Sequence, residues 1–116
     1  MTSGVTEREL RYEGDGLRLR ATADNGTESL AVDGELDMAS APTFEGALAD
    51  VLARADTVEL NLGGVKFMDS SGLRALLCAR RDADAAGRRL RLVDVSPAVS
   101  RILEVTRTAS LFELAG

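Results

Sequence analysis

The spacing of apolar residues changes at Ser40, and that change constrains the fold more than any other feature of the chain. Before it, "LRLRATA" alternates from Leu17, and after "ADNGT" the apolar run "SLAVDG" follows. Asn25-Gly26 is a two-residue turn signal between strand-like runs, so a β-hairpin is predicted. After Ser40, the residues Phe44, Ala47, Leu48, Val51, Leu52 and Ala55 recur three and four apart, which places them on one face of a helix. Ser40 is the expected N-cap, and Pro42 suits the first turn.

The two periods then alternate to the end of the chain. "TVELNL" reads as a strand over residues 57–62, closed by Gly63-Gly64. Leu73, Leu76, Leu77, Ala83 and Ala86 mark a second helix, with Gly87 just past its end. "RLRLVDV" is another strand, and "SPAVSRILEV" restarts a helix with a serine cap and Pro97 at the first position. Val99, Ile102, Leu103 and Thr106 form its expected inward face, and "SLFEL" is a short tail. The order β-β-α-β-α-β-α predicts an α/β fold with a mixed sheet of four to five strands, an N-terminal β-hairpin and covering helices. With 116 residues the chain is long enough for one core and too short for two ordinary ones. The domain is expected over residues 14–116, preceded by a loosely ordered lead-in or first strand over residues 1–13.

Composition removes many functions. The chain is 45% apolar and 28% charged, which is the globular range, and it has no apolar run near the ~20 residues of a membrane helix. "MTSGVTEREL" lacks the basic start and apolar stretch of a secretory signal, so a cytoplasmic protein is expected. The lone Cys78 fits a reducing compartment and reads as a half-buried helical residue. A net charge of −5 opposes nucleic-acid binding, and "RRDADAAGRRLRL" reads as a solvated helix face because acids interrupt its arginines. Histidine is absent, which excludes Ser-His-Asp and Cys-His nucleophiles, phosphohistidine and histidine-containing zinc sites. No metal and no cofactor is expected.

Chemistry-bearing residues concentrate in "VKFMDSSGL", where a strand hands over to a helix. Such corners, at the carboxyl ends of strands, are where α/β folds meet ligands and partners. A helix cap by Asp69 or Ser70, worth roughly 1 kcal/mol, accounts for one polar residue but not for three and a glycine. A nucleophile elbow is not indicated, because G-x-S-x-G is missing and no histidine can activate the serine. Neither G-x-x-x-x-G-K-[ST] nor G-x-G-x-x-G appears. A phosphate acceptor fits better: the helix dipole tolerates a dianion there while the surface gains about −1.5 to −2 charges. Gly72 would let another backbone approach. Arg74 can pair with Asp69, bind a phosphate or face water, and the last is favoured. Phe67 and Met68 read as core anchors, with an exposed Met68 as the alternative.

The stretch "FMDSSGL", preceded by "VDGELD" and "VELNLGGV" and followed by "LRLVDVSPAVSRILEVT", resembles the STAS domains of bacterial anti-sigma-factor antagonists over about residues 28–114. The resemblance implies a non-enzymatic partner switch in transcription regulation. Its phosphorylation site corresponds to Ser70, and Asp37 of G-E-L-D corresponds to a position near the kinase-binding surface. Asp69, Ser71 and Gly72 complete the expected partner-binding set. The implied partners are a serine kinase that is itself the anti-sigma factor, and a phosphatase that resets the switch. ATP would belong to the kinase. No nucleic acid or membrane contact is implied, and a monomer or weak dimer is expected. The alternatives are a non-switching STAS scaffold in a larger signalling complex, and a nucleotide-binding STAS domain.

Overall fold

The computed structural model describes residues 8–114. Its elements are β1 (Arg8–Gly14), β2 (Leu17–Asp24), β3 (Thr27–Leu36), α1 (Ala41–Arg54), β4 (Thr57–Met68), α2 (Ser70–Ala85), β5 (Arg89–Val95) and α3 (Pro97–Val105). A 3-10 turn at Ala109–Leu111 and a two-residue strand, β6 (Glu113–Leu114), follow. The expected hairpin is present: Asp24 pairs with Thr27 across Asn25 and Gly26, whose φ angles are 51° and 84°. Positive φ at both central residues gives the turn whose twist matches the flanking strands. The same device recurs at Asp15 and Gly16, with φ of 52° and 81°, joining β1 to β2. Residues 8–13 of the expected lead-in therefore lie in a strand, and residues 1–7 lie outside the described residues.

The strands lie in chain order, antiparallel through β1, β2 and β3 and parallel from β3 to β6. Five strands have seven residues or more, and β6 adds a short edge from the "SLFEL" tail. All three helix-bearing crossovers step the same way along the sheet, so right-handed connections put the helices on one face. Burial agrees. Leu17, Leu19, Leu30, Val32, Val58, Leu60, Leu90 and Leu92 are buried on the helical side with Phe44, Leu48, Val51, Leu76, Val99 and Leu103. Arg18, Arg20, Asn61 and Arg91 alternate with them and are exposed or half-buried on the other face.

β4 departs from the expected strand. Gly63-Gly64 does not close it; the strand continues to Met68. Against β3 its register shifts twice, from Ala31↔Asn61 to Asp33↔Gly64 and from Gly34↔Val65 to Glu35↔Phe67. Each shift inserts one extra residue in β4, a bulge that moves the following side chains to the opposite face. After the second bulge Phe67 points outward, 49% exposed, while Met68 is buried at 7%. Phe67 is thus no core anchor. The glycines allow the first bulge: a Cβ on Gly64 would lie 2.5 Å from Asp33 Oδ1, and one on Gly63 would lie 2.6 Å from Asp94 Oδ2.

Three smaller expectations also change. Ser40 is fully buried and does not cap α1 through its side chain; its hydroxyl donates to the Glu35 carbonyl at 2.7 Å and accepts from the Asp37 N–H at 3.0 Å. Ala86 is exposed because the helix ends beside it, and Thr106 is exposed at the end of α3, where its hydroxyl donates to the Ile102 carbonyl. The far end of α1 is pinned by Arg54, which donates to the buried Glu28 carboxylate at 2.6 and 3.1 Å. That contact raises the Arg54 pKa above its ordinary value.

The G-E-L-D segment depends on Gly34, whose φ is +114° and whose added Cβ would meet the Gly16 carbonyl oxygen at 2.2 Å. Glu35 N–H donates to that same carbonyl at 3.1 Å. Gly34→Ala combines a strained backbone angle with overpacking, each costing about 1–3 kcal/mol. Urea unfolding should therefore show a loss of about 3 kcal/mol or more; a loss below ~1 kcal/mol would mean that β2 and β3 separate freely here.

Candidate functional site

The corner between β4 and α2 is built on Asp69. Its backbone is extended, and its Oδ1 accepts from the N–H groups of Ser71 at 2.8 Å and Gly72 at 3.2 Å. The capping role that the sequence left open between Asp69 and Ser70 belongs to Asp69. Its own N–H donates to the Leu36 carbonyl at 3.2 Å, and its carbonyl accepts from Leu73 N–H at 3.0 Å. One residue thus joins the end of β3, the end of β4 and the first turn of α2.

Ser70 is the first residue of α2 and is exposed. Because Asp69 supplies the cap, the Ser70 hydroxyl is left without a hydrogen bond among the described residues. Ser71 is half-buried. Gly72 is buried, and a Cβ there would lie 2.8 Å from the Leu36 carbonyl oxygen, 2.9 Å from Leu36 Cδ2 and 3.1 Å from Met68 Cγ. The backbone that Gly72 admits is the chain's own β3.

Asp37 follows the last β3 residue, Leu36, which pairs with Met68; Asp37 and Asp69 therefore leave neighbouring strand ends at matching positions. Its Oδ1 accepts from Ala39 N–H and Ser40 N–H, each at 3.0 Å, so the carboxylate holds the turn into α1. Two features went unread in the sequence. Met38, 76% exposed, sits in that turn, and Phe67 is turned out by the bulge beside the corner. In the sequence Phe67 and Met68 read together as core anchors, although alternation from Val58, Leu60 and Leu62 puts odd positions outward and the two one-residue bulges restore that phase at Phe67.

Beyond Ser70, α2 carries a shallow groove of about 390 Å³ lined by Ser70, Leu73, Arg74, Leu77, Arg80 and Arg81, with Cys78 at its side. Arg74 is exposed and makes no ion pair with Asp69, whose Oδ1 is taken by the helix amides. Cys78 is half-buried, as expected. Among the described residues no three His, Cys, Asp or Glu side chains gather as a metal site, and no helix is long and apolar enough to cross a membrane. The corner's chemistry is a free hydroxyl at the positive end of a helix dipole, beside a carboxylate occupied by the cap.

The packing of Gly72 gives a direct test. On an open helix surface Gly→Ala stabilises by up to about 1 kcal/mol. Here the added methyl meets the Leu36 backbone, so Gly72→Ala should destabilise by about 2 kcal/mol in urea unfolding. A neutral or stabilising result would show that the glycine leaves open space. Asp69→Ala should cost about 1–2 kcal/mol through the lost cap, and Asp69→Asn much less.

Comparison with known proteins places this corner in a family. The family described as "Mlab, STAS domain" matches residues 19–113. An anti-sigma factor antagonist from Mycobacterium paratuberculosis has a similar structure, with a TM-score of 0.71 and 24% identity over 99% of this chain and 90% of that one. The anti-sigma factor antagonist SpoIIAA in its unphosphorylated form gives 0.69 and 22% over 84% and 88%. The Bacillus cell fate determinant SpoIIAA in the phosphorylated form gives 0.61 and 19% over 94% and 92%. These likenesses establish the fold, and the family match covers most of the sequence from β2 to β6: the chain belongs to the STAS domain family.

Proposed function

We propose that this protein is an anti-sigma factor antagonist that works by partner switching. Unmodified, it binds a serine-kinase anti-sigma factor through the corner around Ser70 and thereby frees the sigma factor. Phosphorylation of Ser70 ends that binding, and a phosphatase restores it. The contact set is Asp37, Asp69 and Ser71, with the exposed Met38 and Phe67 offering apolar area next to them. Gly72 serves the same surface from below, by seating α2 against β3.

The observation that carries this reading is the uncommitted, exposed hydroxyl of Ser70 at a helix start that another residue already caps. A kinase can reach it, and a phosphate there adds about −1.5 to −2 charges without breaking a bond that holds the fold. SpoIIAA, which shares the fold, is known in both unphosphorylated and phosphorylated forms, and that supports the same chemistry here.

Mass-spectrometric mapping of the protein from its native cells, with whatever co-purifies, should find phosphate on Ser70 and a small serine kinase. Ser70→Asp should weaken kinase binding at least about tenfold in calorimetry, or 1.4 kcal/mol. Its unfolding free energy should move by no more than ~0.5 kcal/mol, since the site is exposed and a negative charge suits the helix start. Ser70→Ala should bind persistently. Normal binding by Ser70→Asp would sink electrostatic expulsion as the mechanism, and an unmodified Ser70 bound only to other STAS proteins would favour a scaffold.

A further inference from the structure

We propose that Arg74 is the internal receptor for the phosphate on Ser70. The inference rests on the reading of Ser70 as the modified residue and adds what happens to the phosphate once it is there. Ser70 is the first helical residue and Arg74 lies four residues on, in the same helix and on the same groove. Side chains four apart on a helix are neighbours, with Cβ atoms about 5–6 Å apart, and an anion N-terminal to a cation is the favourable order. An arginine side chain readily bridges that gap, and its planar fork matches two phosphate oxygens.

The surroundings leave Arg74 available for this role. It makes no ion pair or side-chain hydrogen bond among the described residues, whereas Arg80 donates to the Leu111 carbonyl and lies 3.6 Å from Asp84. Arg81 lies 3.9 Å from Asp82. The nearest acid to Ser70 in sequence, Asp69, has its Oδ1 held by two amides and stays beside the phosphate as a repelling charge. Arg74 offsets that repulsion. Phosphorylation then changes the surface twice over, by adding a dianion and by withdrawing from the groove a cation that unmodified protein presents to its partner.

The test uses the full chain with phosphoserine installed genetically at position 70, so that no kinase is needed. The probe is the phosphorus NMR titration of that phosphate, whose second pKa is ordinarily about 6. With Arg74 present the dianion is favoured; in Arg74→Gln the midpoint should rise by about half a unit, a threefold change in proton affinity. Arg74→Lys should fall between the two, and Arg81→Gln should leave the midpoint in place. Equal midpoints with Arg74 and with Gln would overturn the proposal, as would an equal rise in Arg81→Gln, which would mean a diffuse field. Separately, a kinase assay on the unmodified chain tests whether Ser70 is the acceptor, so failure of that reading is distinguishable from failure of this one.

Discussion

The carbonyl of Leu36 is the contact on which the corner between β4 and α2 depends. It ends β3, accepts from Asp69 N–H at 3.2 Å, and is the atom that a side chain at position 72 would strike. Because it lies that close, α2 can start only with a glycine at its third residue, and its cap must come from the residue whose N–H is already anchored. Asp69 meets that requirement. Ser70, the next residue, is consequently directed outward with its hydroxyl unused. The exposure of the proposed modification site is a consequence of how the helix is seated, not a separate feature.

The second determinant is the length of β4. Twelve residues run beside ten of β3, and the two bulges absorb the difference. Without them, the register that pairs Ala31 with Asn61 would carry on to set Leu36 beside Lys66 in place of Met68. With them, Met68 pairs with Leu36 inside the core while Phe67 turns to the surface. Gly63 and Gly64 accommodate the first bulge by leaving room for the carboxylates of Asp94 and Asp33.

These relations also show what the sequence reveals and what it hides. The Asn25-Gly26 hairpin, the strand and helix order and the polar corner were legible because each is written in adjacent residues: a turn dipeptide, a period, a cap. The stretch that holds β1 was open between a loose lead-in and a first strand, and Asp15-Gly16, the same kind of turn signal as Asn25-Gly26, is the feature that points to the strand. Gly63-Gly64 looked like a strand end, since a glycine pair marks a turn as readily as a bulge and only the register with β3 decides. Phe67, read with Met68 as a core anchor, lies on the outward phase of the same strand. Ser40 and Gly72 were assigned local or external roles, whereas each answers to a backbone distant in sequence: the Glu35 carbonyl for Ser40, and that of Leu36 for Gly72. The resemblance put Asp37 near a partner-binding surface, and its two amide bonds add a role in holding the turn into α1.

A fixed corner bears on how a switch at Ser70 can work. Signals that operate by order and disorder need a segment whose contacts are few, so that a new charge can tip it. This corner has the opposite character: its cap, its strand pairing and its close glycine contact are all formed before any phosphate arrives. A phosphate on Ser70 would not compete for the Asp69 cap, because Asp69 Oδ1 already holds the amides of Ser71 and Gly72. Nor would it face an unfavourable dipole, because Ser70 is at the helix start. Under the proposed role, then, both forms share one backbone, and a partner must tell them apart by the charge and shape of a surface a few residues wide. Such discrimination rests on a repulsive element introduced against the wrong state, and a dianion beside a carboxylate supplies one. That places the specificity of the switch in the residues bordering Ser70, chiefly Asp69 and Arg74, rather than in any motion of the fold.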